Sequence, residues 1–189
     1  MGYVILGLLL EFGPQTIYRL NKFFEAGISL FYAASLGALR QALAKLLADG
    51  WVSVADEPDG KRMKRVYTVT DAGADAFRTW MVGPVQERRL ETVALAKLHL
   101  LGALPDPADR ITALEGIIAR ARADEAVLQA MAPAVAAVEV PEEYRDIARY
   151  QRLTLEYGLR SHALGRGFFE EVLAAESGQS PSSPRSTTA

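Results

Sequence analysis

Residues 35–70 read SLGALRQALAKLLADGWVSVADEPDGKRMKRVYTVT, and two periods meet in them. Ser35 is a good helix N-cap, and Leu36, Leu39, Leu43, Leu46 and Leu47 recur behind it at helical spacing as a buried face. Gly50, after Asp49, stops the helix. From Trp51 the period falls to two. WVSVAD and KRVYTV are short strands rich in β-branched and aromatic residues, with turn-forming Glu57-Pro58-Asp59-Gly60 between them. The four cations Lys61, Arg62, Lys64 and Arg65 crowd the far side of that turn.

The flanks extend the pattern. Tyr3 to Phe12 is apolar nearly all round and ends at Gly13-Pro14, which predicts a short buried helix. Thr16 to Glu25 carries Ile17, Leu20 and Phe24 on one face. An uncharged loop, AGISLFYAA, leads to Ser35. Beyond the hairpin, Thr70 caps a helix from Asp71 to about Met81. Helix, helix, helix, hairpin, helix is the order of a winged helix-turn-helix, expected over residues 1–83. Residues 84–176 read as helix, with breaks expected at Pro105/Pro107 and around Pro133 to Pro141. The fold class is therefore mainly α, with a small β-hairpin wing. Residues 177–189, SGQSPSSPRSTTA, hold almost nothing to bury and are expected to be a disordered tail.

Composition bounds the function. With 189 residues, half of them hydrophobic, the chain can build a core without staples. Cysteine is absent, which excludes disulfides and thiolate metal sites and fits a cytoplasmic address. The start lacks a basic segment and a cleavage site, so no signal peptide is expected, and no stretch reads as a membrane span. Net charge is only −2. Residues 1–83 nevertheless carry nine Lys/Arg against eight Asp/Glu, and four of those cations are clustered in the hairpin. Phosphate contact depends on such local geometry more than on the total.

With its leucines inside, the 36–49 helix turns Gly37, Ala38, Arg40, Gln41, Ala44 and Lys45 outward. Small residues let a helix lie close to base edges, while Arg and Gln carry donors and acceptors that pair with guanine and adenine. Ala38, Arg40 and Gln41 are the expected base readers. Ser35, Lys45, Lys61, Arg62, Lys64 and Arg65 are the expected contacts to the DNA backbone. A solvated amphipathic helix and a solvated charged turn are the bland readings of each feature alone. Together, at this separation, they point to double-stranded DNA.

The stretches ILGLLLEFGPQTIYRL, AASLGALRQALAKLLADGWV and GKRMKRVYTVTDAG resemble the PadR family of bacterial transcription regulators. LEYGLR, at Leu155 to Arg160, resembles the last helix of that family's C-terminal segment. One departure stands out: relatives usually carry GQIYPxL after the helix-three serine, and this chain has GALRQAL. The buried leucines are kept, but the bases read need not be the family's. The resemblance implies a homodimer paired through C-terminal helices, acting as a repressor. Some members of that family release DNA when a small, often aromatic, ligand binds; Trp51, Trp80 and Tyr150 are the candidate pocket for one here, and plain packing of these rings is the alternative.

The C-terminal helices support pairing on their own pattern. Arg88 to Leu104 is apolar on two sides. Glu142 to about Ala175 carries stripes that include Tyr150, Leu153, Tyr157, Leu164 and Phe168, beside a small-residue track at Gly158, Ser161 and Gly165. Leu95, Leu98, Leu101, Leu153, Tyr157, Gly158, Leu164, Gly165 and Phe168 are the expected dimer contacts, and a purely intramolecular bundle is the alternative. A dimer sets two recognition helices about 34 Å apart and reads a palindrome.

Catalysis finds no support. His99 and His162 are the only histidines and are not spaced for a metal, and no glycine-rich phosphate loop occurs. Glu142-Glu143 and Glu170-Glu171 are adjacent, so each pair diverges on a helix. Neither cofactor nor metal is expected. The rival reading from another class is a helical adaptor that uses its winged helix to bind protein.

Overall fold

The computed structural model describes residues 1–32, 35–60 and 62–178. The chain divides into two compact units, Met1–Ala113 and Leu114 onward.

In the first unit, α1 (Gly2–Phe12), α2 (Ile17–Ala26), a 3-10 turn (Ile28–Leu30) and α3 (Leu36–Ala48) precede the hairpin. Strands β1 (Val52–Asp59) and β2 (Arg62–Val69) pair antiparallel, and α4 (Asp71–Val82) and α5 (Leu90–His99) follow. Three helices start where a hydroxyl satisfies an orphan amide. Thr16 Oγ1 accepts from Arg19 N at 3.3 Å, Ser35 Oγ from Ala38 N at 3.2 Å, and Thr70 Oγ1 from Gly73 N at 3.1 Å.

α1 is the core of this unit: Val4, Ile5, Leu6, Leu8 and Leu9 are all buried. Around it lie buried Leu20, Phe24, Leu39, Leu43, Leu46, Phe77 and Met81. Full burial of each such side chain is worth roughly 1.5–3 kcal/mol, so this cluster is what fixes α3 in place. At Gly7 a Cβ would lie 2.8 Å from Leu100 and 2.9 Å from Phe77, so α1 packs there through bare backbone. α5 and the 3-10 turn Leu101–Ala103 thus join the winged-helix core, with Leu100, Leu101 and Leu104 buried. The helix expected from Arg88 to Leu104 is interrupted after His99.

The hairpin is tighter than its turn residues suggest. Asp59 pairs with Arg62, so Glu57 to Asp59 are strand rather than turn, and Gly60 takes the left-handed backbone between the strands at φ 62°. A third segment joins the base of the wing: Gln15 and Tyr67 exchange backbone hydrogen bonds at 3.0 and 2.8 Å. Pro14 is followed by this short bridge, which the sequence pattern does not announce. Leu36 departs from the expected buried face. It is the first residue of α3, and it is 39% exposed because the core lies against the later turns.

α6 (Pro107–Ala137) starts in the first unit and ends in the second. Pro107 suits a helix start, where its missing N–H costs nothing. The break expected around Pro133 to Pro141 falls after Ala137: α6 runs through Pro133 for four more residues and ends there. A proline removes one backbone bond and crowds one carbonyl, and a single such loss near a helix end is tolerated. A 3-10 turn (Glu142–Tyr144) then leads to α7 (Arg145–Glu176). Within the second unit, Arg166 Nε donates to Glu125 at 2.8 Å and its Nη1 to Glu170 at 3.0 Å, while Arg122 also reaches Glu170 at 2.8 Å. This ladder joins α6 to α7. Ser177 and Gly178 follow α7, and the rest of the expected tail lies outside the described residues. Among the described residues, no helix is long and apolar enough to cross a membrane.

Candidate nucleic-acid interface

α3 buries Leu39, Leu43 and Leu46, and that choice of inner face decides what faces out. Ser35, Gly37, Arg40, Gln41, Ala44 and Lys45 are exposed and Ala38 is half-buried. The Ser35 oxygen is engaged by the Ala38 amide, so its hydroxyl proton is what it can offer a phosphate. Lys45 Nζ lies 3.0 Å from the Asp49 carboxylate, one helical turn on, with three quarters of its side chain in water. Such an exposed pair is weak and easily exchanged for another anion.

Between α3, the start of α2 and the wing lies an open groove of 720 Å³. Arg40, Ala44 and Leu47 line it from α3, Thr16, Ile17 and Tyr18 from the start of α2, and Asp59, Lys64, Arg65 and Tyr67 from the wing. The structure thus brings Arg40 together with Lys64 and Arg65, which the sequence shows only as separate elements. Gln41, Lys45 and Ser35 are exposed on α3 but do not line the groove. Arg62 is exposed next to the turn, and Lys61 lies outside the described residues.

Sequence reasoning misses two groups. Thr16, Ile17 and Tyr18 reach the groove because α2 begins beside it, and Tyr18 is 65% exposed. The Thr16 cap is legible, but its position beside the wing depends on the Gln15–Tyr67 bridge. The second group is acidic. The register places Asp59 opposite Arg62, Glu57 opposite Lys64 and Asp56 opposite Arg65. Lys64 Nζ and Glu57 Oε2 are 4.0 Å apart, and the Arg65 guanidinium lies 5.9 Å from the Tyr67 ring centre. The wing's cations therefore stand among carboxylates.

Residues 5–79 match the family described as the transcriptional regulator PadR-like family. The chain carries a PadR-like module. That description is of a regulator of transcription. The chain is similar to Bacillus subtilis PadR solved in complex with operator DNA, with 20% identity, 92% of this chain and 96% of that chain covered, and a TM-score of 0.43. It is similar to the PadR-like transcriptional regulator BC1756 from Bacillus cereus, with 21% identity, 93% and 94% covered, and a TM-score of 0.41. It is also similar to the Vibrio cholerae virulence activator AphA, with 22% identity, 95% and 100% covered, and a TM-score of 0.38. No curated protein matches it.

The aromatic residues expected to hold an effector are otherwise engaged. Trp51 and Trp80 both stack on Tyr3, with ring centres 5.8 and 5.1 Å away, so a side chain fills the space between them. Trp80 Nε1 donates to Glu87 at 3.2 Å. Tyr150 belongs to the second unit, where its ring is exposed beside the Arg149 guanidinium. Of the expected dimer contacts, Leu101 is buried in the core of its own unit, and Leu95 and Leu98 are half-buried. Leu101 sits in the 3-10 turn that follows α5. On α7, Leu153, Tyr157, Leu164 and Phe168 are exposed, and Tyr157 and Leu164 are about three quarters so. A Cβ at Gly158 would meet Leu128 of α6 at 3.5 Å, whereas one at Gly165 would meet nothing within 4 Å. Among the described residues no cluster of three or more potential metal ligands occurs.

Proposed function

We propose that this PadR-like chain is a sequence-specific DNA-binding regulator that acts as a homodimer on a palindromic site and represses by occupying a promoter. The observation that supports it is the shared groove: Arg40 and Ala44 of α3 face the same space as Lys64 and Arg65 of the wing. α3 enters the major groove with its small residues against the base edges, and Arg40 and Gln41 read them. Ser35, Lys45 and the wing cations Lys61, Arg62, Lys64 and Arg65 hold the backbone on either side.

Pairing is supported by the second unit. Ile147, Tyr150, Leu153, Tyr157, Leu164 and Phe168 follow a three-four spacing along α7, and all are exposed. A stripe of that length facing water is what a second copy covers, and a helix pair is the simplest cover. The stripe residues Leu153, Tyr157, Leu164 and Phe168, with Gly158 and Gly165 beside them, form the proposed interface. Leu95 and Leu98 of α5 are the contacts proposed for the first unit. Release by a small aromatic effector near Trp51, Trp80 and Tyr150 is part of the proposal, and Tyr3, stacked on both tryptophans, is a ring that such a ligand would meet in the first unit.

The test is selection of genomic DNA fragments by the purified full chain. Recovery of fragments sharing an inverted repeat, with half-sites about one helical turn apart, is the expected result. Recovery of fragments with no common sequence would overturn the reading of α3 as a base-reading helix.

A further inference from the structure

The wing looks like a basic finger, but its two strands carry opposite charge. β1 ends in Asp56, Glu57 and Asp59, and each stands directly across the ladder from a cation of β2: Arg65, Lys64 and Arg62. Directly opposed residues of an antiparallel pair point to the same face, with Cβ atoms about 4.5–5.5 Å apart. Each carboxylate is therefore within reach of its own cation, and Glu57 and Lys64 are 4.0 Å apart with both side chains about half exposed. With Lys61, the hairpin sets four cations against three acids, a net charge of +1.

We propose that the acids Asp56, on one face of the wing, and Glu57 and Asp59, on the other, are a specificity device: they occupy the wing's cations until α3 has placed a duplex beside them. The inference rests on the DNA-binding reading above. Non-specific affinity comes almost wholly from cations that exchange condensed counterions for phosphate. A cation already facing a carboxylate contributes less to that exchange, and the carboxylate also repels the incoming phosphate. This weakens a chain that meets DNA by charge alone. A chain whose Arg40 and Gln41 have found their bases is held in place. Its wing then meets phosphate at a high effective concentration, and the cations swap partners. The acids thus cost non-specific complexes more than specific ones.

The experiment compares the full chain with the amide variant D56N/E57Q/D59N and with E57Q alone. Each is titrated against a random-sequence duplex and against a genomically selected fragment, by filter binding over a range of salt. For the triple variant, affinity for random duplex should rise about ten-fold at low salt, with a salt slope steeper by roughly two to three units. Affinity for the selected fragment should rise less, so the ratio between the two falls. E57Q, which leaves the hairpin's shape untouched, should show the same trend at a smaller size. Unchanged random-duplex affinity in both variants overturns the proposal, and so does an equal rise on both DNAs. If the parent chain itself fails to prefer its selected fragment, the DNA-binding reading falls first. If the parent discriminates and the variants behave like it, only the role of the acids falls.

Discussion

The Arg78 guanidinium grips the Asp109 carboxylate with two hydrogen bonds, Nε to Oδ2 and Nη2 to Oδ1, the latter at 2.6 Å. Arg78 is on α4 of the winged helix, and Asp109 is in the first turn of α6, where a carboxylate also suits the helix dipole. Asp109 is only 8% exposed, so removing its partner strands a charge in a dry place. Arg78→Met should lower the melting temperature by a few degrees, and Asp109→Asn should do so by less. The double variant should lose less than the sum of the two, because the stranded charge is gone. Scanning calorimetry of the four proteins checks this.

Lys97 is the other polar anchor of the first unit. Its side chain is 1% exposed, and Nζ donates to the Met81 and Gly83 carbonyls at 3.2 and 2.9 Å, while lying 5.4 Å from the Trp80 ring centre. Those carbonyls end α4 and have no helical amide to receive, so the lysine serves as a C-terminal cap from another element. Burial pushes its pKa below the usual lysine value, against a smaller upward pull from Glu87. Between the lowered folded value and the normal unfolded one, the unfolded chain binds more protons, so Lys97's contribution to stability grows as pH rises through that window. Denaturant titrations at a series of alkaline pH values should show wild type gaining on Lys97→Met there. At neutral pH, Lys97→Met leaves two carbonyls unsatisfied and should cost about 1–3 kcal/mol.

Gly73 lets α4 pass against the base of the wing. A Cβ there would lie 2.0 Å from the Trp51 carbonyl oxygen, which is backbone and cannot rotate aside. Gly73→Ala should destabilise the chain by about 3 kcal/mol, seen as an earlier urea midpoint. Gly102→Ala, where no atom lies within 4 Å, is the control and should be nearly silent.

The residues proposed to touch DNA divide by their effect. Replacing Lys61, Arg62, Lys64 and Arg65 by alanine should weaken binding to every sequence and flatten the salt slope by about 0.9 for each phosphate that is no longer neutralised. Arg40→Ala or Gln41→Ala should leave that slope nearly unchanged and relax base preference by about 1–3 kcal/mol at one position. Mobility-shift titrations on a panel of single-base variants separate the two outcomes.

The pairing proposal predicts that Tyr157→Glu with Leu164→Glu yields a folded monomer. Both side chains face water, so circular dichroism should be unchanged while sedimentation shows the mass halved. Affinity for a palindrome should drop with it, since each half-site then binds alone.

What the sequence makes legible is local. The caps at Thr16, Ser35 and Thr70 and the stripe Leu39, Leu43, Leu46 depend on residues within a turn of one another, and each appears in the fold. Leu36 follows the same spacing but stands at the helix entry, where the core no longer reaches. The pairing of Arg62, Lys64 and Arg65 with acids depends on register. Register turns on whether Pro58 and Asp59 are strand or turn, which the residue types leave open. The groove itself needs three elements at once, and its α2 wall hangs on the backbone bridge from Gln15 to Tyr67. The break between α6 and α7 is legible as a region, from Pro133 to Pro141, but not as a residue, because α6 carries through Pro133 to Ala137.

The stack of Trp51 and Trp80 on Tyr3 gathers both of the chain's tryptophans into one place in the first unit. Their emission is therefore a gauge of a single junction, where the root of the wing meets α1 and α4. A tryptophan trace will follow the melting of that junction and remain blind to the fraying of α7. Any unfolding curve for this protein needs a second, helix-sensitive signal beside it.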